Sequence, residues 1–473
     1  MRIFLIQWGG DSVRELFDVV KELKARSHKI VYWVADKNWP LDRSQFSGTI
    51  FHDLEDAIEG RSAAAVDTSQ FTPPGDDLIA QLYETESLLL TMMNKRYGHL
   101  SVSERKRFYY RLIQYWQGIL KHYRPDVIIF PLVPHSVYDL VIYFLAKLLG
   151  IKTVMFTATQ DFIRLMVMND FVEGGRILKK TIEENKQKQF SLEDLSDDLR
   201  GYFFKHTSQG GDPTPPNMIN IQKQYGRSRA AILLDAIKSF TLFSKAVNYA
   251  KKRFGSNLRK EYQGLEKPPD LSRNFIYVPL QYQPEATTSP LAGNFADQCL
   301  LIETLAAAIP DNWVIYVKEH PRQFIFSGLN FSQYRYCGYY EDIARLKKVQ
   351  IVPTTTDTYS LINFSKAVAI NTGTAGLEAA LRLKPVLVFG YAWYRDCPGM
   401  FVVRDTDSCR EAIKKIIGGA RIDTQQLINY FAAVDRASFP GYVEPHLKKL
   451  STISEEENVA NLTKALIDEI ETS

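Results

Sequence analysis

Short apolar runs alternate with longer amphipathic stretches along the first third of the chain. Ile3–Ile6, Ile30–Val34, Val127–Phe130 and Thr153–Phe156 are rich in branched and aromatic side chains, and they predict buried strands. Apolar residues recur at helical spacing near Ser12–Lys24, Glu104–His122 and Tyr138–Leu149, which predicts helices there. A second series begins after Pro269. Its strands are expected at Phe275–Pro279, Trp313–Val317, Gln350–Val352, Ala367–Ile370 and Pro385–Phe389. Helical patterns at Phe295–Ala308, Thr358–Phe364 and Ala375–Leu383 fall between or after them. Strands alternating with helices imply an α/β fold with parallel, doubly wound sheets.

The two series are separated by a stretch of different character. Residues 171–270 are polar and charged, and QGGDPTPPN (Gln209–Asn217) has the Gly and Pro content of a loop. Arg229–Lys251 follows with Leu233, Ile237, Phe240, Val247 and Ala250 at helical spacing. From Ile221 to Tyr262 there are ten Lys and Arg against two acids. That excess fits a solvated helix packed on the protein body, or a basic surface for an anionic acceptor or membrane leaflet. The expected organisation is a first domain over 1–170, a helical, basic connecting region over 171–270 and a second domain over 271–450. A C-terminal helix over 451–473 is expected to pack back on the first domain.

Composition narrows the partners. The 473 residues are 45% hydrophobic and 24% charged, with a formal charge of +4, a balance that argues against disorder and gives little support for a nucleic-acid partner. The four cysteines, Cys299, Cys337, Cys397 and Cys409, lack paired metal-type spacing, and a reducing, cytoplasmic setting fits them best. MRIFLIQWGGDS has too short an apolar run for a signal peptide and reads as a first strand. No run approaches the ~18 apolar residues of a membrane span. A peripheral contact with the inner membrane surface stays open.

Candidate chemistry gathers at strand ends. YVKEHPRQF (Tyr316–Phe324) sets Lys318, Glu319, His320 and Arg322 around Pro321, which biases His320 towards extended backbone. Ammonium, imidazole and guanidinium all donate to phosphate oxygens. In NTGTAGLEAALRLKPVLVFG a strand ends at Ile370 and a Gly- and Thr-rich turn leads into a helix. Thr372, Gly373 and Thr374 there suit an anion, and Glu378 suits ribose hydroxyls. The plainer reading is that Thr374 caps the helix. The turn is neither a Walker A loop nor a G-x-G-x-x-G fingerprint. In the first half, FPLVPHSVYDL (Phe130–Leu140) offers His135 and Asp139 as general bases. Alternatively, His135 caps the helix and Asp139 faces solvent. Trp8, Gly9, Gly10 and Asp11 form another strand-end turn suited to an acceptor, and Gln160, Asp161 and Arg164, after the Thr153–Phe156 strand, are further candidates, Arg164 for acceptor binding. No acidic cluster at a strand end suggests a metal site, and Asp194–Asp198 reads as a helix cap or solvated face.

KEHP followed by NTGTAGLEAALRLKPVLVFG resembles the nucleotide-sugar domain of GT-B glycosyltransferases, in particular the capsule polysaccharide biosynthesis family that includes bacterial Kdo transferases. The resemblance is good over about 275–395, looser over 125–165 and absent from the connecting region. It implies two Rossmann-like domains facing each other across a cleft. It also implies metal-independent transfer with no cofactor, the nucleotide sugar being a substrate. By the resemblance His320 would contact the donor phosphate, and Thr372, Gly373 and Thr374 would form the phosphate turn. Glu378 would lie near the ribose, while Lys318 and Glu319 would support the pocket. PLQYQPEATTSP (Pro279–Pro290) resembles the family's first C-terminal loop and would direct Gln281, Gln283 and Glu285 to the cleft. The implied donor is CMP-Kdo or a related ulosonic acid, and the acceptor is a glycan or glycolipid in capsule or lipopolysaccharide synthesis. A UDP-sugar transferase, a UDP-sugar 2-epimerase, a CDP-polyol phosphotransferase and a non-catalytic glycan- or nucleotide-binding assembly partner remain the alternatives.

Overall fold

The structure, a computed structural model, describes residues 1–159, 161, 163–207, 258–283, 285–324 and 335–471. The loop expected at Gln209–Asn217 and the basic helix expected at Arg229–Lys251 lie outside the described residues. The chain divides into two units, one formed by 1–199 with 428–473 and the other by 200–427.

The first unit is built on a seven-stranded sheet. Its strands are β1 (Arg2–Ile6), β2 (Lys29–Ala35), β3 (Ile50–Asp53), β4 (Val127–Phe130), β5 (Lys152–Ala158), β6 (Arg164–Met168) and, from the far end of the chain, β13 (Ser438–Pro440). Their order is β13-β6-β5-β4-β1-β2-β3. The β1 to β5 pairings are parallel, whereas β6 runs antiparallel to both β5 and β13. All four residues of β4 are buried, as a central parallel strand covered on both faces requires. The helix Val102–Tyr123 begins at a capping box in which Ser101 and Glu104 exchange side-chain and backbone bonds. Its buried stripe, Phe108, Leu112, Ile113, Trp116, Ile119 and Leu120, follows helical spacing. The C-terminal helix Glu455–Glu471 lies against the helix Leu16–Ala25. It is tied to the end of β6 by Asn169 Nδ2, which donates to Glu469 Oε1 at 3.0 Å.

The second unit holds a six-stranded sheet: β7 (Phe275–Pro279), β8 (Val314–Lys318), β9 (Val349–Ile351), β10 (Ala367–Ile370), β11 (Val386–Val388) and β12 (Met400–Val402). Every pairing in it is parallel, in the order β12-β11-β10-β7-β8-β9. Its core joins sheet residues such as Ile276, Ile315 and Leu387 to helix residues such as Leu301, Leu305 and Ile413.

This topology fixes where loops can converge. In the first sheet the chain winds outward from β1 to β3 and restarts at β4 on the other side of β1. In the second it winds from β7 to β9 and restarts at β10 beside β7. Each sheet therefore has one switch point, and the carboxyl ends of its two flanking strands diverge to leave a crevice. The flanking pairs are β1 with β4 and β7 with β10. Among the described residues, no helix is long and apolar enough to cross a membrane.

Candidate functional site

The loops after β7, β8 and β10 meet at the switch point of the second sheet. Gln281, just past β7, lies over Gly373, just past β10: a Cβ built on Gly373 would come within 2.7 Å of the Gln281 Cδ. Only a glycine lets the turn approach this closely. The turn is also held from below, where the buried Tyr394 hydroxyl donates to the Gly373 carbonyl. Thr372 is buried, and its hydroxyl donates to the Thr287 carbonyl at 2.6 Å, so it fastens the loop that follows β7. Thr374 is exposed and makes no side-chain cap bond to the helix Ala375–Leu381. The plain capping reading of Thr374 is therefore not what the structure shows. Glu378 is buried within that helix, near enough to the Tyr277 and Tyr394 phenols to raise them further above their already burial-raised values.

At the end of β8 the four polar residues separate into different tasks. Lys318 is buried, and its Nζ donates to the Thr356 carbonyl at 2.7 Å and to Thr358 Oγ1 at 2.6 Å. Burial pushes its ammonium down to about 8, partly offset by Asp357. Glu319 has no exposed surface. Its Oε1 accepts the His320 backbone N–H at 2.7 Å, and its Oε2 accepts the Tyr340 hydroxyl at 2.7 Å and Arg335 Nε at 3.0 Å. Pro321 opens the short 3-10 helix Pro321–Phe324, and Arg322 pairs with Glu285 at 3.1 Å while lying 4.9 Å over the Tyr282 ring.

His320 itself is partly buried. Its Nδ1 accepts the Arg322 backbone N–H at 3.1 Å, which makes Nδ1 the lone-pair nitrogen and places the proton of the neutral ring on Nε2. Burial lowers its pKa to about 4, against an upward pull from Glu319 and with further lowering by Arg322, Arg335 and Lys318. At neutral pH His320 is thus an uncharged Nε2–H donor.

Gln283 is committed to the scaffold: its Nε2 donates to the Ala296 carbonyl at 3.0 Å and its Oε1 accepts from Arg335. Arg335 was not among the sequence candidates. Its signal was available, since it is the single charged residue between Arg322 and Glu341 and stands among tyrosines.

The first unit carries the remaining candidates. The turn after β1 contains Gly9 at φ +82°, where a side chain would run into the Trp39 ring. Trp8 beside it is fully buried and donates to the Leu16 carbonyl at 3.1 Å. Gly10 has open space where a Cβ would stand, and Asp11 pairs with Arg14 on the surface. After β4, His135 Nδ1 lies 2.8 Å from the Val133 carbonyl, which can only accept. That bond fixes the proton on Nδ1 and leaves Nε2 as the basic nitrogen, the reverse of His320. The His135 backbone N–H donates to Asp139 Oδ2 at 3.3 Å. Asp139 is 4% exposed rather than solvent-facing, and its Oδ1 has no hydrogen-bond partner among the described residues. Burial pushes its carboxyl up to about 6, with His135 and backbone N–H groups pulling the other way. Glu444, held by His446 at 3.1 Å, is near enough to His135 for the two to interact electrostatically.

Arg164 is engaged in the interior of the first unit. It is buried at the start of β6, where Nη1 pairs with Asp198 at 3.0 Å and Nη2 with Asp435 at 2.9 Å, while Nε donates to Ser438 Oγ at 2.9 Å. Five donors in a planar fork suit this cross-linking of a strand to two helices. Asp194 accepts within a capping box with Ser191, whereas Asp198 is the partner of Arg164. Gln160 lies outside the described residues, and Asp161 sits at φ +46° before β6.

Comparison with known proteins adds a family. No curated protein sequence matches the chain. Solved structures overlay it only loosely. A beta Kdo 2,7 transferase, KpsC of Thermosulfurimonas dismutans, is 12% identical at TM-score 0.31, covering 74% of this chain and 89% of its own. The UDP-GlcNAc 2-epimerase of Methanocaldococcus jannaschii is 10% identical at TM-score 0.25, covering 92% and 99%. The UDP-GlcNAc 2-epimerase of Neisseria meningitidis is 12% identical at TM-score 0.26, covering 92% and 98%. Overlays this loose place no residue. The family model described as capsule polysaccharide biosynthesis protein matches residues 224–416, a span that contains all of β7 to β12 and the loops at their switch point. Over that span, about two-fifths of its length, the chain is similar to the capsule polysaccharide biosynthesis protein family.

Proposed function

We propose that the chain is a glycosyltransferase of surface polysaccharide synthesis, with a nucleotide sugar held by the second unit. The observation that carries the reading is the switch point of the family-matched sheet, where a neutral His320 Nε2–H donor, the Gln281–Gly373 contact and the exposed Thr374 gather at strand carboxyl ends. In this reading His320 donates to a donor phosphate oxygen and the Thr372–Thr374 turn lies along the phosphate. Transfer forms a bond between the acceptor oxygen and the anomeric carbon and breaks the bond from that carbon to the phosphate oxygen. The leaving nucleotide departs as an anion, and fixed N–H dipoles stabilise that developing charge.

The acceptor hydroxyl must lose its proton as it attacks. His135, with Nε2 unprotonated, and Asp139, with a buried oxygen unpartnered among the described residues, are the base candidates, and the turn at Gly9, Gly10 and Asp11 is the acceptor-side candidate. The donor we favour is CMP-activated Kdo or a related ulosonic acid, and the acceptor a glycan or glycolipid reached from the cytoplasmic side, with peripheral contact at the inner membrane surface. Incubation with CMP-Kdo and capsular or lipopolysaccharide acceptors, followed by CMP release, tests this. Turnover dependent on acceptor supports it. Release from UDP-sugars alone would turn the reading to a UDP-sugar enzyme, and nucleotide binding without any release would turn it to an assembly partner.

A further inference from the structure

Arg335 is 1% exposed, and among the described residues its hydrogen bonds go to the loops after β7 and β8. Nε donates to Glu319 Oε2 at 3.0 Å and Nη2 to Glu319 Oε1 at 3.4 Å. Nη2 also donates to the Gln281 carbonyl at 3.0 Å, and Nη1 to Gln283 Oε1. The guanidinium plane lies 4.6 Å over the Tyr339 ring. Its carboxylate partner is fixed too, since Glu319 accepts the Tyr340 hydroxyl and the Glu319 backbone N–H donates to the Tyr262 hydroxyl at 3.0 Å.

We propose that Arg335 is the positioning residue of the donor pocket: through Glu319 it sets the backbone that carries His320, and through Gln281 and Gln283 it sets the loop that meets Gly373. The route to His320 is short. Arg335 orients the Glu319 carboxylate, and Oε1 of that carboxylate holds the His320 N–H at 2.7 Å. The following turn then presents the Arg322 N–H to His320 Nδ1, so Nε2 keeps the proton and points away from the backbone bond. The route to Gly373 is the Gln281 carbonyl, one residue's backbone from the amide that covers the glycine. A buried ion pair adds little net stability over an apolar pair of the same volume, so fixed geometry is what this one supplies. A lysine could not replace it, because a single ammonium cannot reach three acceptors on two loops in one plane. The assignment deepens the functional reading above and depends on it for the identity of the ligand, while the geometry at His320 stands without it.

The test uses the full chain with 15N-labelled histidine, the His320 signal being identified by its loss in His320→Ala. Two variants are compared with the parent: Arg335→Lys, and the neutral double substitution Glu319→Gln with Arg335→Met. In the ligand-free parent, His320 shows a single Nε2–H tautomer. In both variants, with cooperative melting retained, the tautomers mix and CMP affinity by calorimetry falls about tenfold or more, the loss of one well-placed charge-assisted bond. A folded variant of either kind with parental His320 signals and parental CMP affinity overturns the proposal. Loss of the fold in both would mark Arg335 as purely structural and overturn it equally. If the parent binds no nucleotide while the variants still scramble the His320 tautomer, the positioning role stands and the donor reading falls.

Discussion

Gln281 and Gly373 touch across the switch point of the second sheet, the amide of one lying where a side chain of the other would be. The contact sets the Gln281 amide of the loop after β7 against the turn after β10. Gly373→Ala would push the flexible end of Gln281 aside rather than a strand. We expect cooperative melting with a loss of about 1 kcal/mol, recovered when Gln281→Ala is added. CMP binding should nevertheless weaken several-fold in Gly373→Ala. Unchanged affinity in calorimetry would remove the turn from the site.

His320 should titrate near 4 in the free protein, well below its ordinary 6.5. With the folded value depressed, the unfolded chain takes up the proton first as pH falls, so stability is lost progressively from about pH 6.5 to 4 and that loss persists below 4. A phosphate beside Nε2–H reverses the balance by favouring the imidazolium. Adding CMP should therefore move the His320 midpoint upward in an NMR titration. A midpoint near 6.5 in the free protein, or one that CMP leaves in place, contradicts the assignment.

Asp139 titrates near 6 in the folded chain against an ordinary 3.8. Its folded form holds the proton more tightly, so its contribution favours the fold at low pH and is lost as pH rises through 6. At pH 7 the buried carboxylate costs about 3 kcal/mol relative to a group that titrates at its ordinary value. Asp139→Asn should then melt higher than the parent at pH 7 and show no advantage at pH 4. A melting difference independent of pH would contradict this. If Asp139 is the base, turnover is lost in the same variant.

The strands at the centre of each sheet were legible because they are fully buried on both faces and read as unbroken apolar runs. Val127–Phe130 and Ala367–Ile370 match β4 and β10 residue for residue. The edges were not. β6 and β13 are short, antiparallel and distant in sequence, and Ser438–Pro440 has no pattern of its own to read. Strand ends could be located for the same reason that strands could, which put KEHP and NTGT at loops. What their side chains do there depends on partners far away in the chain. Glu319 was expected to support the pocket, and the partners that hold it, Arg335, Tyr340 and Tyr262, are not adjacent to it in sequence. Arg164 looked free to meet an acceptor, but Asp198 and Asp435 hold it in the interior. Tautomers lie further still from sequence, because the Val133 carbonyl and the Arg322 N–H decide them.

The account rests most heavily on a cytidine nucleotide held through His320. Thermal unfolding of the parent and of His320→Ala with CMP, CDP, UDP and GDP tests that directly. CMP should raise the melting temperature of the parent, and His320→Ala should melt cooperatively but lose that shift, as removal of one donor to a charged phosphate weakens binding about tenfold to a hundredfold. A shift with UDP alone, or a CMP shift of full size in His320→Ala, would contradict it.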